Sequence, residues 1–142
     1  MATTESVPDW VAEYVGLPYL AGGRDRTGLD CFGLCLLVWR ERFGLDVPLY
    51  GGVTWEVANS AKVGEFIEGE VRAGWEPIEA GAEQPGDVVL MRLRGHPIHV
   101  GVVVGCGMML HCHDTADAAV EDYGTLQWSR RILGFHRYRA HA

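Results

Sequence analysis

Cys31 is the residue with the clearest local reason to act as a nucleophile. It lies between a glycine-containing approach and the start of an apolar helix, and Asp30 directly before it is the predicted N-cap. The unpaired N–H groups and the positive dipole end of a helix stabilise a thiolate and therefore lower a cysteine pKa. We predict an activated thiol at Cys31; the simpler interpretation is a small buried core residue.

A reactive thiol needs a base, and the base is most often a histidine held by a third polar group. His99 lies in a valine-rich strand pattern, where a buried imidazole requires a hydrogen-bonding partner. A hairpin that turns near Cys106 brings His99 and His111 to one face of adjacent strands. With Cys106 as the turn centre, Gly101 faces His111 and His99 faces His113. With a tighter or bulged turn, His99 faces His111, and the sequence leaves both registers open.

A zinc site is one alternative for the second half of the chain, because soft and borderline ligands cluster there. The candidate ligands are Cys106, His111, Cys112 and His113. Adjacent strand residues point to opposite faces, so His111 and Cys112 cannot readily share one ion, and there is no C-x-x-C pair. We therefore expect neither a metal nor another cofactor.

A redox pair formed by Cys31 and Cys35 is a weaker alternative. These residues are one helical turn apart, which is not a thioredoxin-like spacing, and Cys35 is expected to pack in the core. The four cysteines stand in a chain without a secretion signal, so we expect free thiols rather than disulfides.

The elements that must position these side chains are helical first and strand-like afterwards. We predict an N-terminal helix capped by Ser6, a loop at 17–28, a buried central helix from Asp30 to Gly44, and further helix at about 54–73. Predicted strands follow at Trp75–Ile78 (an edge strand), 87–92, 98–104, 108–113, about 119–121 and 132–138, with a helical turn near 123–128. This order indicates an α+β fold, and residues 1–142 contain no linker or repeat, so we expect a single domain.

The composition and net charge of the chain indicate which classes of binding partner to expect. The chain has 142 residues, 48% of them apolar, and a formal net charge of −7 from 12 basic and 19 acidic residues. This balance argues against a nucleic-acid-binding surface. No signal peptide and no run near the roughly 18 apolar residues of a membrane span are seen. We therefore expect synthesis in the cytoplasm and no membrane insertion.

Several short motifs together resemble the NlpC family of papain-like cell-wall cysteine peptidases. They are Gly16-Leu17-Pro18-Tyr19, Gly22-Gly23, Asp30-Cys31-Phe32-Gly33-Leu34, Pro85-Gly86-Asp87-Val88, His99-Val100-Gly101-Val102 and Met109-Leu110-His111. The resemblance covers nearly the whole chain and implies a papain-like fold, with the nucleophile at the start of the central helix packed on an antiparallel sheet. It is closest to the stand-alone or tail-tip members of phages, prophages and gene transfer agents.

The resemblance also implies roles for individual residues. It makes Cys31 the nucleophile, His99 the general base and later general acid, and His111 the third residue, which orients His99. It implies that Tyr19 lines the site and assists the oxyanion.

The resemblance also extends to the two residues that flank the cysteine. Asp30 is expected mainly to cap the helix, although the corresponding family aspartate can touch substrate. Phe32 stands where many cell-wall members have a serine that recognises the amino end of the peptide, so the substrate preference of those members does not carry over directly.

The implied reaction is hydrolysis of a peptidoglycan stem-peptide amide, most often between D-glutamate and a diamino acid, through a thioester and without a metal. Stem peptides and phage tail proteins are the implied partners, and a phage-like particle at the cell wall is the implied place of action. Two alternatives stay open: a weakly active or inactive structural component of a tail, and an acyltransferase in which an amine resolves the acyl-enzyme.

Overall fold

A computed structural model describes residues 7–47, 74–93, 96–113 and 116–139. Its elements are a 3-10 helix (Asp9–Glu13), β1 (Arg24–Asp25), β2 (Gly28–Leu29), α1 (Cys31–Arg42), β3 (Trp75–Ile78), β4 (Val88–Leu93), β5 (His96–Gly105), β6 (Met108–His113), β7 (Ala116–Asp122), α2 (Leu126–Ser129) and β8 (Ile132–Tyr138). The predicted α+β class is confirmed. The helical region predicted at about 54–73 lies outside the described residues.

One antiparallel sheet carries most of the described strands. Its order is β3-β8-β4-β5-β6-β7, while β1 and β2 form a separate two-stranded hairpin. The proline-containing strand β3 lies at an edge of the sheet, as predicted. Strands β5 and β6 pair Val102 with Leu110 and Val103 with Met109. The same register, continued, sets Gly101 opposite His111.

Helix α1 begins at Cys31 because Asp30 caps it, as predicted. The Asp30 side chain accepts a hydrogen bond of 2.7 Å from the Gly33 N–H. A cap of this kind contributes about 1 kcal/mol. All residues from Cys31 to Trp39 are buried, which matches the apolar pattern on every side of the helix. The Trp39 indole N–H donates to the Gly86 carbonyl at 2.9 Å and joins α1 to the turn before β4.

Apolar layers cover both faces of the sheet. The first layer joins α1 to side chains that include Val100, Val102, Leu110 and Cys112. The second layer contains Val103, Met109, Trp128 and Phe135. Side chains alternate along a strand, so neighbouring residues of β5 and β6 enter different layers. No helix in the described ranges is long and apolar enough to span a bilayer.

Two local details of the N-terminal part differ from the sequence-based prediction. The first helix is a short 3-10 helix that follows Pro8, and the predicted cap Ser6 lies outside the described residues. The predicted loop at 17–28 contains the β1–β2 hairpin. Strands of two residues are too short to produce a periodic signal, which explains why the pattern predicts only a loop.

Candidate active site

Asp30 fixes the start of the helix on which Cys31 stands. Its carboxylate accepts hydrogen bonds from the Gly33 N–H, from the Gly22 N–H at 3.1 Å and from Arg24 Nη1 at 2.8 Å. The carboxylate is fully buried. Asp30 is therefore held within the protein by its capping contacts, and its expected contact with substrate stays a prediction.

The environment of Cys31 acts on the pKa of its thiol in two directions. Burial raises the pKa of Cys31, which is 6% exposed, and the nearby Asp30 carboxylate raises it further. The backbone N–H groups of Val100 and Phe32 act in the opposite direction. Desolvation of the thiolate thus acts against the activation predicted from the helix start. A separate base has to accept the thiol proton.

The N–H of Val100 connects the electrostatic environment of Cys31 to β5. Val100 follows His99 directly in β5, so this N–H belongs to the peptide that joins these two residues. Helix α1 packs against the Val100 and Val102 face of β5, whereas the ring of His99 stacks on Trp128.

His99 and His111 form a buried hydrogen-bonded pair. His99 Nε2 lies 2.8 Å from His111 Nδ1, and the two residues are 2% and 1% exposed. Of the two registers left open by the sequence, the structure has the one that centres the β5–β6 turn on Cys106 and sets Gly101 opposite His111. His111 therefore reaches His99 diagonally across the two strands. The ring centroids of His99 and His113 are 5.9 Å apart, against 5.0 Å for His99 and His111. The hydrogen bond distinguishes His111 as the partner of His99.

Both imidazoles are held in the neutral form. Burial lowers the pKa of His99 well below its usual value, and the nearby His111, His113 and Arg131 lower it further. Burial also lowers the pKa of His111, against the opposing effect of Glu121. A neutral His99 retains a nitrogen lone pair and is therefore able to accept a proton at neutral pH.

Glu121 and Trp128 complete the surroundings of this pair, and sequence reasoning missed both. Glu121 Oε2 lies 2.8 Å from His111 Nε2, and Glu121 Oε1 accepts a hydrogen bond of 3.0 Å from the Trp128 indole. The His99 ring stacks on Trp128 with centroids 5.7 Å apart and an interplanar angle of 21°. Glu121 could have been considered from the sequence, because it is a glutamate in the predicted strand that follows the strand of His111.

Hydrogen bonds from Trp128 and His111 keep Glu121 ionised. Its pKa is lowered even though desolvation, the largest single effect, raises it. The glutamate is one-third exposed, at 33%, so water reaches the outer end of the network.

Tyr19 and Phe32 lie on the two sides of the Asp30–Cys31 step. The backbone of Tyr19 forms a parallel bridge with Leu29, and its N–H donates to Asp117 at 3.0 Å. Its half-buried ring is therefore anchored close to the helix start. Phe32 is buried and packs edge-on against Trp39, with centroids 6.2 Å apart. Phe32 thus packs against the core, and its expected contact with substrate stays a prediction.

The residues considered as zinc ligands lie in different surroundings. Cys106 is exposed in the β5–β6 turn with a φ of 56°, whereas Cys112 is buried and its thiol donates to the Leu29 carbonyl at 3.5 Å. His111 points into the Trp128 layer. None of these cysteines is joined in a disulfide in the described part of the chain, and Cys35 is fully buried.

The sequence of this chain is similar to the sequences of two proteins of Escherichia coli K12. The chain is 25% identical over 125 residues to murein DD-endopeptidase MepS/murein LD-carboxypeptidase of Escherichia coli K12, covering 88% of this chain and 57% of that protein. It is 29% identical over 133 residues to murein DD-endopeptidase MepH of the same strain, covering 88% and 42%. The chain thus spans about half the length of these relatives.

A solved structure and a family model agree with these relatives. The crystal structure of the NlpC/p60 domain of the peptidoglycan hydrolase SagA superposes with a TM-score of 0.59 at 25% identity, covering 91% of this chain and 92% of that domain. The model described as the NlpC/P60 family matches residues 16–137, which include Cys31, His99 and His111. The chain therefore belongs to the NlpC/P60 family.

Proposed function

We propose that this protein is a peptidoglycan endopeptidase that hydrolyses a stem-peptide amide with Cys31 as nucleophile, His99 as base and His111 as the third residue. The observation that carries the proposal is the buried His99–His111 hydrogen bond of 2.8 Å. This hydrogen bond joins β5 to β6, and the residue after His99 in β5, Val100, contributes to the environment of the Cys31 thiol. The chain belongs to the NlpC/P60 family. The known relatives named above supply the substrate class.

In the acylation step, His99 Nδ1 takes the proton of the Cys31 thiol as the sulfur attacks the carbonyl carbon of the scissile amide. Nδ1 is the available nitrogen because Nε2 bonds to His111. The N–H of Cys31, at the start of α1, and Tyr19 stabilise the oxyanion of the tetrahedral intermediate. The C–N bond then breaks, the amine leaves with the proton from His99, and a thioester to Cys31 remains.

In the deacylation step, His99 takes a proton from water as the water oxygen attacks the thioester carbonyl. Collapse of the second tetrahedral intermediate breaks the C–S bond, releases a carboxylic acid and returns the proton to the Cys31 sulfur. The site is thereby restored without a metal or an oxidant. The raised pKa of Cys31 favours this return, because the neutral thiol is the stable form in the resting site.

The proposal also includes which bond of the stem peptide is cleaved. The resemblance in sequence favours the bond between D-glutamate and a diamino acid. The two Escherichia coli relatives are named DD-endopeptidases, and one is also named an LD-carboxypeptidase. Members of this family thus act on more than one type of stem-peptide bond, so the product must be identified directly.

A muropeptide digest analysed by mass spectrometry tests this function. We expect the purified protein to cleave one stem-peptide bond, Cys31→Ala to abolish cleavage, and Cys106→Ala to retain it. Cys106 is an exposed thiol in a turn and serves as the matched control. Cleavage that survives in Cys31→Ala would contradict the proposed nucleophile, and products joined to an added amine would identify an acyltransferase instead.

The place of action is a separate proposal. We propose cytoplasmic synthesis and delivery to the cell wall as part of a phage-like tail, on the basis of the sequence resemblance alone. The relatives named above are cell-wall enzymes, and their names do not refer to tails. Co-purification of the protein with tail particles from a producing culture would support this proposal, and its absence from intact particles would contradict it.

A further inference from the structure

The hydrogen-bonded network around His99 continues through His111 to Glu121. His111 Nε2 lies 2.8 Å from Glu121 Oε2, while Glu121 Oε1 receives the Trp128 indole N–H at 3.0 Å. Each oxygen of the Glu121 carboxylate therefore contacts a different ring: Oε2 contacts the His111 imidazole and Oε1 contacts the Trp128 indole. The indole nitrogen is only a donor, so Glu121 has to accept on that side.

The direction of every hydrogen bond in the network follows from the ionised state of Glu121. A carboxylate only accepts, so His111 Nε2 carries a hydrogen. A neutral imidazole has one N–H, and His111 Nδ1 therefore presents a lone pair to His99. His99 Nε2, at 2.8 Å, has to carry the hydrogen between them. The lone pair of His99 is then on Nδ1.

We propose that Glu121 is a positioning residue of the active site: by accepting the His111 Nε2–H, it fixes the tautomers of both histidines and leaves His99 Nδ1 as the acceptor for the Cys31 proton. Glu121 acts through His111 and does not touch the reacting atoms. The transfer from Cys31 rests on the proposed function, whereas the tautomers of the two rings do not.

The reverse arrangement requires a protonated Glu121. In it, Glu121 donates to His111 Nε2, His111 Nδ1–H donates to His99 Nε2, and His99 Nδ1 holds a hydrogen and is not a base. The surroundings oppose this state, because Trp128 and His111 both stabilise the carboxylate. The nearby His113 also favours the ionised form of Glu121.

Trp128 holds the carboxylate in place as well as stacking on His99. Its indole is buried, and it contacts the His111 ring edge-on with centroids 4.9 Å apart. The same side chain therefore orients the glutamate and both rings. Because Glu121 is one-third exposed, its charge is partly screened by water, and the tautomer selection depends mainly on its direct hydrogen bond to His111.

The Glu121→Gln variant tests the proposal because an amide has one accepting oxygen and one donating nitrogen. The oxygen satisfies the Trp128 N–H, the amide NH2 faces His111 Nε2, and both histidine tautomers reverse. We expect kcat on muropeptides to fall about 10- to 100-fold with little change in KM, as for a weakened general base. Glu83→Gln is the matched control, since Glu83 accepts from Tyr123 at 2.7 Å elsewhere on the protein.

Nitrogen-15 NMR of the histidine rings measures the tautomers directly and independently of activity. We expect Nε2–H on both His99 and His111 in the wild type and in Glu83→Gln, and Nδ1–H on both in Glu121→Gln. An unprotonated His99 Nε2 in the wild type, or unchanged tautomers in Glu121→Gln, would overturn the proposal. If the tautomers behave as expected but the wild type cleaves no muropeptide, the proposed function fails and the positioning by Glu121 stands.

Discussion

Gly101 and His111 lie so close across β5 and β6 that a side chain at Gly101 would crowd the histidine. A Cβ atom built on Gly101 would lie 3.2 Å from the Cβ of His111 and 3.3 Å from the Met109 sulfur. The absence of a side chain there gives His111 the room in which it reaches diagonally to His99. The spacing of the histidine pair thus depends on a glycine that performs no chemistry itself.

Gly101→Ala is expected to reduce activity much more than stability. His111 and Met109 have to give way by a few tenths of an ångström, and we expect this shift to disturb the 2.8 Å contact of His111 with His99. We expect about a ten-fold loss of kcat, since small displacements of catalytic groups are costly. The free energy of unfolding should fall by only about 1–2 kcal/mol, as in mild overpacking. Steady-state kinetics and urea unfolding measure the two effects.

Gly134→Ala is the matched control for that substitution. Gly134 is also in the sheet, but its added Cβ would make an ordinary contact of 3.4 Å with His136. We expect wild-type kcat for this variant. Equal losses of activity in the two variants would show that the effect of Gly101→Ala is a general response to alanine in the sheet.

The Cys31 thiol is expected to react slowly with iodoacetamide at neutral pH. Burial and Asp30 raise its pKa, so its thiolate fraction grows about ten-fold for each pH unit up to pH 9. Mass spectrometry of the alkylated peptides measures this rate, with Cys106→Ala used to remove the exposed thiol. A rate that reaches a plateau below pH 7 would show a preformed thiolate and contradict this prediction.

Protein stability is expected to fall as the pH decreases below about 6.5. His99 and His111 have pKa values lower in the folded than in the unfolded protein, so the unfolded chain binds more protons in this range. Each group contributes at most about 1.4 kcal/mol per pH unit, beginning near the unfolded pKa. The lowered pKa of Glu121 acts in the same direction, but only below its unfolded value of 4.5.

Urea unfolding at several pH values between 5 and 7.5 measures this dependence. His99→Phe removes one titrating group and keeps an aromatic ring against Trp128. Its stability should therefore vary less steeply with pH than that of the wild type. An unchanged slope in His99→Phe would show that the acid sensitivity arises elsewhere in the protein.

The sequence predicts the parts of this site that depend on local pattern. The cap at Asp30 follows from residue type and position, and the strand containing His99 follows from its run of valines. The choice between His111 and His113 depends on a diagonal contact across two strands, and strand periodicity does not determine such a contact. The raised pKa of Cys31 depends on how deeply the helix start is buried, and this is a property of the assembled fold.

Glu121 shows a second limit of sequence reasoning. A glutamate in a polar strand ordinarily faces water, and here the side chain is held inward because His111 and Trp128 both donate to it. Those donors come from β6 and α2, so the network exists only after three elements have come together.

Two substitutions of Asp30 are expected to separate its capping role from its charge. Asp30→Asn keeps an accepting oxygen for the Gly33 N–H but removes the carboxylate that raises the pKa of Cys31. We expect its Cys31 to alkylate faster than that of the wild type at pH 8, with a loss of about 1 kcal/mol in unfolding free energy because Arg24 loses its ionic partner. Asp30→Ala removes the cap as well and should lose about 2–3 kcal/mol. Slower alkylation of folded Asp30→Asn would show that Asp30 does not suppress the thiolate, and burial alone would then account for the unreactive thiol.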